Sequence, residues 1–192
     1  MNNEWNKIAD KNTIERTIEN LKNNGINAEL VENKEEAKKK VLSLIPEGVE
    51  IMDMTSATLD TLNISKEIQE SNKYDSIRKK IFSMDRKTQG REIQKLGAAP
   101  EYSIGSVHAV TEDGKILIAS ATGSQIPAYS YGSNKVIFVV GAQKIVKNLE
   151  EGMKRIYEHS FLLENERAKK AYGMESSVNK ILIINKEFQP NR

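Results

Sequence analysis

The sequence contains no cysteine, two histidines, one tryptophan and four prolines among 192 residues. Without a thiol there is no disulfide, no thiolate nucleophile and no cysteine-bound iron–sulfur cluster or zinc. His108 and His159 lie far apart along the chain, so no imidazole-based metal site is expected, and no cofactor. No apolar run approaches the roughly 18 residues that a membrane span requires. The opening MNNEWNKIADKN lacks the apolar segment of a secretory leader. A cytoplasmic protein with no membrane partner is expected. Charge of one sign is scarce as well: 29 Lys and Arg stand against 27 Asp and Glu, a formal net charge of +2, which offers no nucleic-acid surface.

What is present is an ordinary globular composition, 38% hydrophobic and 29% charged, and a length suited to one α/β domain. Its most informative stretch runs from Gly105 to Val146. Two apolar runs, Ile116 to Ala119 and Val136 to Val140, each end in small, glycine-containing polar residues, Ser120 to Gln125 and Gly141 to Lys144. Short β-branched runs between turn residues read as strands buried on both faces, Val136 to Val140 the more deeply of the two. Open α/β sheets take ligands beyond the carboxyl ends of such strands.

Around this centre the pattern alternates. Trp5, Ile8, Ile14, Ile18 and Leu21 predict one helix over 4–23, an arm (1–24) ahead of an α/β domain (25–192). Ile26 to Val31 reads as a strand. Asn33 with Glu36 opens a helix carrying Ala37, Val41, Leu44 and Ile45, which Pro46 and Gly48 stop. Val49 to Met54 reads as a strand running into Thr55, Ser56, Ala57 and Thr58, where free N–H groups at a helix start favour an anion. Residues 64–97 read as helical throughout. Lys and Arg outnumber Asp and Glu between Lys66 and Lys95, a solvated face from which Arg78, Arg86 or Arg91 reaches an anion if its helix borders the cleft. Tyr102 to Val110 is open between strand and helical turn. A long helix is expected from Leu149 to Tyr172 with Met153, Ile156, Tyr157, Phe161, Leu162 and Leu163 inward, capped by Gly173 and followed by a strand over Val178 to Ile184.

The segments GSVHAVTEDG (Gly105 to Gly114), ATGSQ (Ala121 to Gln125) and VVGAQKIV (Val139 to Val146), the last followed by Asn148, Leu149, Glu150 and Arg155, resemble the lactate-utilisation (LUD) domain family. The resemblance implies the fold shared by ribose-5-phosphate isomerase, glucosamine-6-phosphate deaminase and CoA transferases. That fold is a single α/β domain with a Rossmann-like, mostly parallel sheet and helices on both faces. It also implies a small-residue loop that cradles phosphate or a related anion, here Thr55 to Thr58. A further apolar strand beyond Arg192 is expected on the same grounds, where this sequence stops. Larger relatives carry cysteine-rich iron–sulfur segments that a chain without cysteine does not supply.

The candidate site therefore joins Thr55, Ser56 and Thr58 with Thr122, Gly123, Ser124 and Gln125 and with Gly141, Gln143 and Lys144. Ser56, Gly123 and Lys144 are expected to meet at one rim. Lys144 pairs with a carboxylate or phosphate while the amides and hydroxyls add neutral hydrogen bonds. His108 is the natural proton carrier, with Glu112 or Asp113 as the orienting or basic carboxylate, and Glu112 as a nucleophile of the CoA-transferase kind is the variant. Three functions stay open. One is binding of a small anionic metabolite in lactate or related carboxylate metabolism. Another is a non-catalytic subunit beside iron–sulfur or flavin partners. The third is an isomerase or transferase acting on a sugar phosphate or acyl-CoA. A homodimer completed by the N-terminal helix is a further expectation.

Overall fold

In the computed structural model, which describes residues 3–189 and 192, the run at Val49–Met54 becomes strand β1, Glu50–Asp53. The later strands are β2 (Asp75–Ser76), β3 (Tyr102–Gly105), β4 (Ala109–Thr111), β5 (Ile116–Ser120), β6 (Lys135–Phe138), β7 (Ile145–Val146) and β8 (Lys180–Ile184). Helices α1 (Lys11–Asn23), α2 (Lys34–Ser43), α3 (Ala57–Thr61), α4 (Ile64–Glu70), α5 (Ile77–Ser83), α6 (Gly90–Ala98), α7 (Leu149–Arg155) and α8 (Phe161–Tyr172) alternate with them. The class is α/β with a parallel sheet, as the pattern predicts. The strands, however, are shared between two four-stranded sheets, and the chain sorts into two compact units.

The parallel unit comprises Leu30–Ser106, Ser124–Val139 and Arg192. Its sheet runs β2-β1-β3-β6 with every neighbour parallel. The chain steps from β1 outward to β2, then crosses back to β3 and on to β6. The direction of progress thus reverses between β1 and β3, where an open parallel sheet has room for a ligand or a buried polar group. Ile51 and Ile104 are fully buried there with Leu59, Ile64 and Ile68; each such side chain contributes about 1.5–3 kcal/mol. At the end of β3, Gly105 lets the Tyr129 hydroxyl lie where a Cβ would stand, 1.7 Å from that position. Tyr129 is in turn edge-on to Phe138, ring centroids 4.9 Å apart.

Among the described residues, the mixed unit comprises 3–29, 107–123 and 140–189. Its sheet runs β7-β4-β5-β8; β5 is antiparallel to β4 and β8, and β7 is parallel to β4. The turn between β4 and β5 needs a left-handed residue, supplied by Gly114 at φ +82°. Helix α7 lies close on this sheet because Gly152 has no side chain: a Cβ there would come within 2.8 Å of the Leu117 side chain. Trp5 packs from the N-terminal side onto the same core of Ala109, Leu117, Ala119, Val146 and Ile156.

Several expectations change. The helix over 4–23 is interrupted: a 3-10 turn occupies Asn3–Asn6, and α1 starts only after Asp10, whose side chain takes the Thr13 N–H at 3.0 Å. A strong aspartate cap there outweighs the weak apolar continuity across it. Ile26 to Val31 joins neither sheet, and Leu30 is exposed. The helical stretch 64–97 is broken by β2. Strand β6 is only half-buried along its length, and the strands buried at every position are β4 and β5. Tyr157, Leu162 and Leu163 are exposed rather than inward. A π-helical turn at Ile156–Ser160 adds residues to the turn and rotates the following helix out of the expected phase.

Candidate anion-binding site

Along the chain, β3 leads into Val107 and His108, and β6 leads into a 3-10 turn, Ala142–Lys144. Both segments enter the mixed unit, where they meet the end of α7. Lys144 Nζ donates to the Val107 carbonyl at 2.9 Å. Arg155, the last residue of α7, donates from Nη1 to the carbonyl of His108 and to Ser160 Oγ, the latter at 3.0 Å. The neighbouring carbonyls thus gather two cations and a histidine into one cluster.

Three electrostatic facts define it. Arg155 is 3% exposed, yet no carboxylate pairs with it among the described residues, and its Nε–H has no acceptor. Burial draws its pKa down to about 10. Burial, and then the Arg155 charge, lower Lys144 to about 8. Burial, followed by the charges of Lys144 and Arg155 against a weaker opposing pull from Glu164, lowers His108 to about 4. His108 is therefore neutral at physiological pH. Its Nδ1 accepts the Ala119 N–H at 3.0 Å, which leaves the ring proton on Nε2. His159, four residues beyond Arg155 and also buried, is lowered by burial and by the same two cations. A buried set of positive groups with an unmet N–H is costly as it stands. What it lacks is a counter-charge and an acceptor for that N–H.

The other predicted residues are distributed as follows. Gln143 folds back over Gly141, whose missing Cβ position is 2.3 Å from Gln143 Oε1, and both flank Lys144. Thr122 and Gly123 belong to the same unit but serve a strapped turn. Lys180 Nζ holds the Thr122 carbonyl at 2.7 Å, and the Gly123 N–H, in a residue at φ +85°, donates to Ser120 Oγ at 2.8 Å. Glu112 stands at the opposite end of β4 from His108, roughly 13 Å along an extended chain. There it pairs with Arg16, and its carbonyl takes Asn20 Nδ2. Asp113 is turned to Thr111 and Lys115. Neither carboxylate orients His108.

Thr55, Ser56, Thr58, Ser124 and Gln125 belong to the parallel unit. Ser56 Oγ caps α3 by accepting the Leu59 N–H at 3.4 Å, and Thr58 lies within that helix. Ser124 and Gln125 precede a π-helical turn, with Ser124 Oγ 3.5 Å from Gln125 Oε1 and the Gln125 carbonyl accepting from Tyr129 N–H at 3.2 Å. Thr55 Oγ1 accepts from both terminal nitrogens of Arg78, each at 3.2 Å. Arg78 also pairs with Asp53, which is 1% exposed at the end of β1 and receives Gln69 Nε2 at 2.7 Å. Burial raises the Asp53 pKa against the Arg78 charge. A separate hollow of about 520 Å³, walled by Lys38, Asn63, Lys66, Glu67, Glu70 and Ser71, lies away from the strand ends. Its lysines are matched by Glu67 and Glu70, so it has no outstanding charge.

Two members of the cation cluster, Arg155 and His159, are not among the predicted site residues, although Arg155 lies in the segment that carries the family resemblance. Their signal is a helical stripe, Gly152, Arg155, Ile156 and His159, in which two basic residues share the buried face with a glycine and an isoleucine.

Comparison with known proteins bears on this arrangement. The family model described as the LUD domain matches residues 14–181, spanning nearly all of both units. Comparison with curated proteins yields no match. Among solved structures, the crystal structure of ribose 5 phosphate isomerase A from Neisseria gonorrhoeae is similar at 16% identity and a TM-score of 0.37. That similarity covers 60% of this chain and 54% of the isomerase chain, so the match spans about half of the latter's length.

Proposed function

The chain belongs to the LUD domain family, and from that premise we propose that it serves lactate or related carboxylate metabolism by binding a small carboxylate or phosphate anion at Lys144, Arg155 and His108. Family membership supports the connection with lactate utilisation. The anion reading is carried by one observation: Arg155 is buried without a counter-charge among the described residues, and its Nε–H is unmet. An anion placed there accepts from Arg155 and gains the Lys144 charge as well, both in surroundings where charge-assisted hydrogen bonds are strong. Neutral His108 adds a donor at Nε2 without adding repulsion or charge, and Gln143 on the same turn supplies a neutral contact.

The direct test is thermal unfolding of the purified protein with lactate, pyruvate, acetate, inorganic phosphate and sugar phosphates. A true ligand at about a hundred times its dissociation constant stabilises the fold by about 2.7 kcal/mol. No shift with any carboxylate or phosphate overturns the proposal. A second reading, a subunit that presents such an anion to an iron–sulfur or flavin partner, is favoured by the absence of any cysteine in the sequence. Co-purification of a coloured partner with the tagged chain supports it, and unaided turnover of a carboxylate by the pure chain refutes it.

A further inference from the structure

Lys144 and Arg155 are anchored to consecutive residues of one backbone segment. The Lys144 side chain donates to the Val107 carbonyl at 2.9 Å, and the Arg155 guanidinium donates to the His108 carbonyl. The Arg155 charge bears on Lys144, and both charges bear on the His108 ring. Burial, and then this second cation, bring the Lys144 amine from 10.5 down to about 8. At about pH 7 an ordinary lysine keeps roughly one amine in three thousand neutral, whereas Lys144 keeps roughly one in ten. A desolvated lysine beside another cation is the arrangement that turns this side chain from a point charge into a nucleophile. Lys144 is only partly buried, so its amine is not sealed within the core.

A nucleophilic amine in the same cluster as a guanidinium without a counter-charge suits a ligand whose carbonyl stands beside its carboxylate. Building on the anion-binding reading of Arg155, we propose that Lys144 forms a Schiff base with 2-oxo carboxylates, the carboxylate resting on Arg155 and the His108 Nε2–H polarising the keto oxygen. The neutral amine attacks carbon 2, and the N–C bond forms as the C=O π pair moves onto oxygen. The two amine hydrogens leave with that oxygen as water, so an imine remains and no oxidant, reductant or second substrate is needed. A neutral imidazole N–H is suited to polarising a carbonyl, and the Ala119 N–H on Nδ1 holds His108 in the tautomer that offers it. A 2-hydroxy carboxylate has no carbonyl to attack and is held by its charge alone.

The experiment incubates the full chain with pyruvate and cyanoborohydride in a non-amine buffer and reads intact mass and the mapped peptides. The expected result is one reduced pyruvate adduct per chain, carried by the Lys144 peptide and absent in Lys144→Arg, which keeps the charge but lacks the nucleophilic amine. Acetone, a carbonyl without the carboxylate, is expected to label Lys144 at least about tenfold more slowly, because nothing holds it on Arg155. Should circular dichroism show Lys144→Arg to be unfolded, the mapped position in the unaltered protein decides alone. Labelling spread over surface lysines, equal labelling by acetone, or no labelling overturns the Schiff base. Acetate or inorganic phosphate bound by the same preparation in calorimetry then leaves the anion site standing. Absence of labelling together with absence of binding by pyruvate, acetate and phosphate removes both.

Discussion

Arg78 in the parallel unit lies 3.2 Å from the Asp53 carboxylate and 2.6 Å from the Asp53 carbonyl, whereas Arg155 in the mixed unit meets only a carbonyl and a hydroxyl. Both guanidinium groups are withdrawn from water. The first is neutralised by its own chain and clamps the end of β1; the second keeps its charge and an unmet N–H. A buried charge with a partner is a structural joint; one without is the group on which the proposed anion site rests. The glycine contacts point the same way. Gly105 is filled by Tyr129 in the parallel unit, while Gly141 in the mixed unit is covered only by the movable amide of Gln143.

The comparison breaks most visibly at the two arginines. Arg78→Met leaves Asp53 buried with only the neutral Gln69 and Ser65 side chains beside it and is expected to cost about 3–5 kcal/mol in urea unfolding. Arg155→Met removes a buried charge that has no counter-ion and is expected to cost under about 1 kcal/mol. Equal losses would erase the distinction. Next in size, Gly105→Ala forces the buried Tyr129 ring to move and is expected to cost about 1–3 kcal/mol, seen as a lower unfolding midpoint. Were the loss negligible, the parallel unit would be looser at its strand ends than the packing implies.

The pH effects are smaller and have definite signs. The pKa of His108 is about 4 in the fold against 6.5 for the free side chain, so the unfolded chain binds the extra proton. Its contribution to stability is complete above about pH 6.5 and is lost as pH falls toward 4, by at most about 2–3 kcal/mol given the ring's partial exposure. In His108→Asn this part of the acid sensitivity disappears from a stability–pH profile. Lys144, lowered to about 8, is mostly charged at neutral pH, and that charge is a standing cost which an anion relieves. Anion affinity is therefore expected to fall as pH rises through about 8, while Arg155 holds its charge to about 10. A flat calorimetric profile from pH 7 to pH 9 would remove Lys144 from the site.

Much of the scaffold is legible from local chemistry. Asn33 with Glu36, Pro46 with Gly48, and Gly173 each impose a boundary that tertiary contacts do not override. The β-branched runs at Ile51 and Ile116 become strands because each finds a hydrogen-bonding neighbour on both edges, parallel for β1 and antiparallel for β5. Ile26 to Val31 shows the limit: an apolar run becomes a strand only with a partner edge, and local spacing does not reveal whether one exists. The members of the candidate cluster that local sequence points to are those where a residue type is rare, as with His108, or where a charge ends a glycine turn, as with Lys144. Arg155 stays hidden because an arginine in a helix ordinarily reads as solvated, and only the fold shows it facing inward. Glu112 misleads for the converse reason: nearness in sequence to His108 becomes distance once the intervening residues extend as β4.

The most direct measurement is a calorimetric titration of pyruvate and of inorganic phosphate into the native chain and into Arg155→Met at pH 7. The account predicts saturable binding of at least one anion at one site per chain, abolished in Arg155→Met although that variant unfolds at nearly the native temperature. Undiminished binding to a folded Arg155→Met would contradict it.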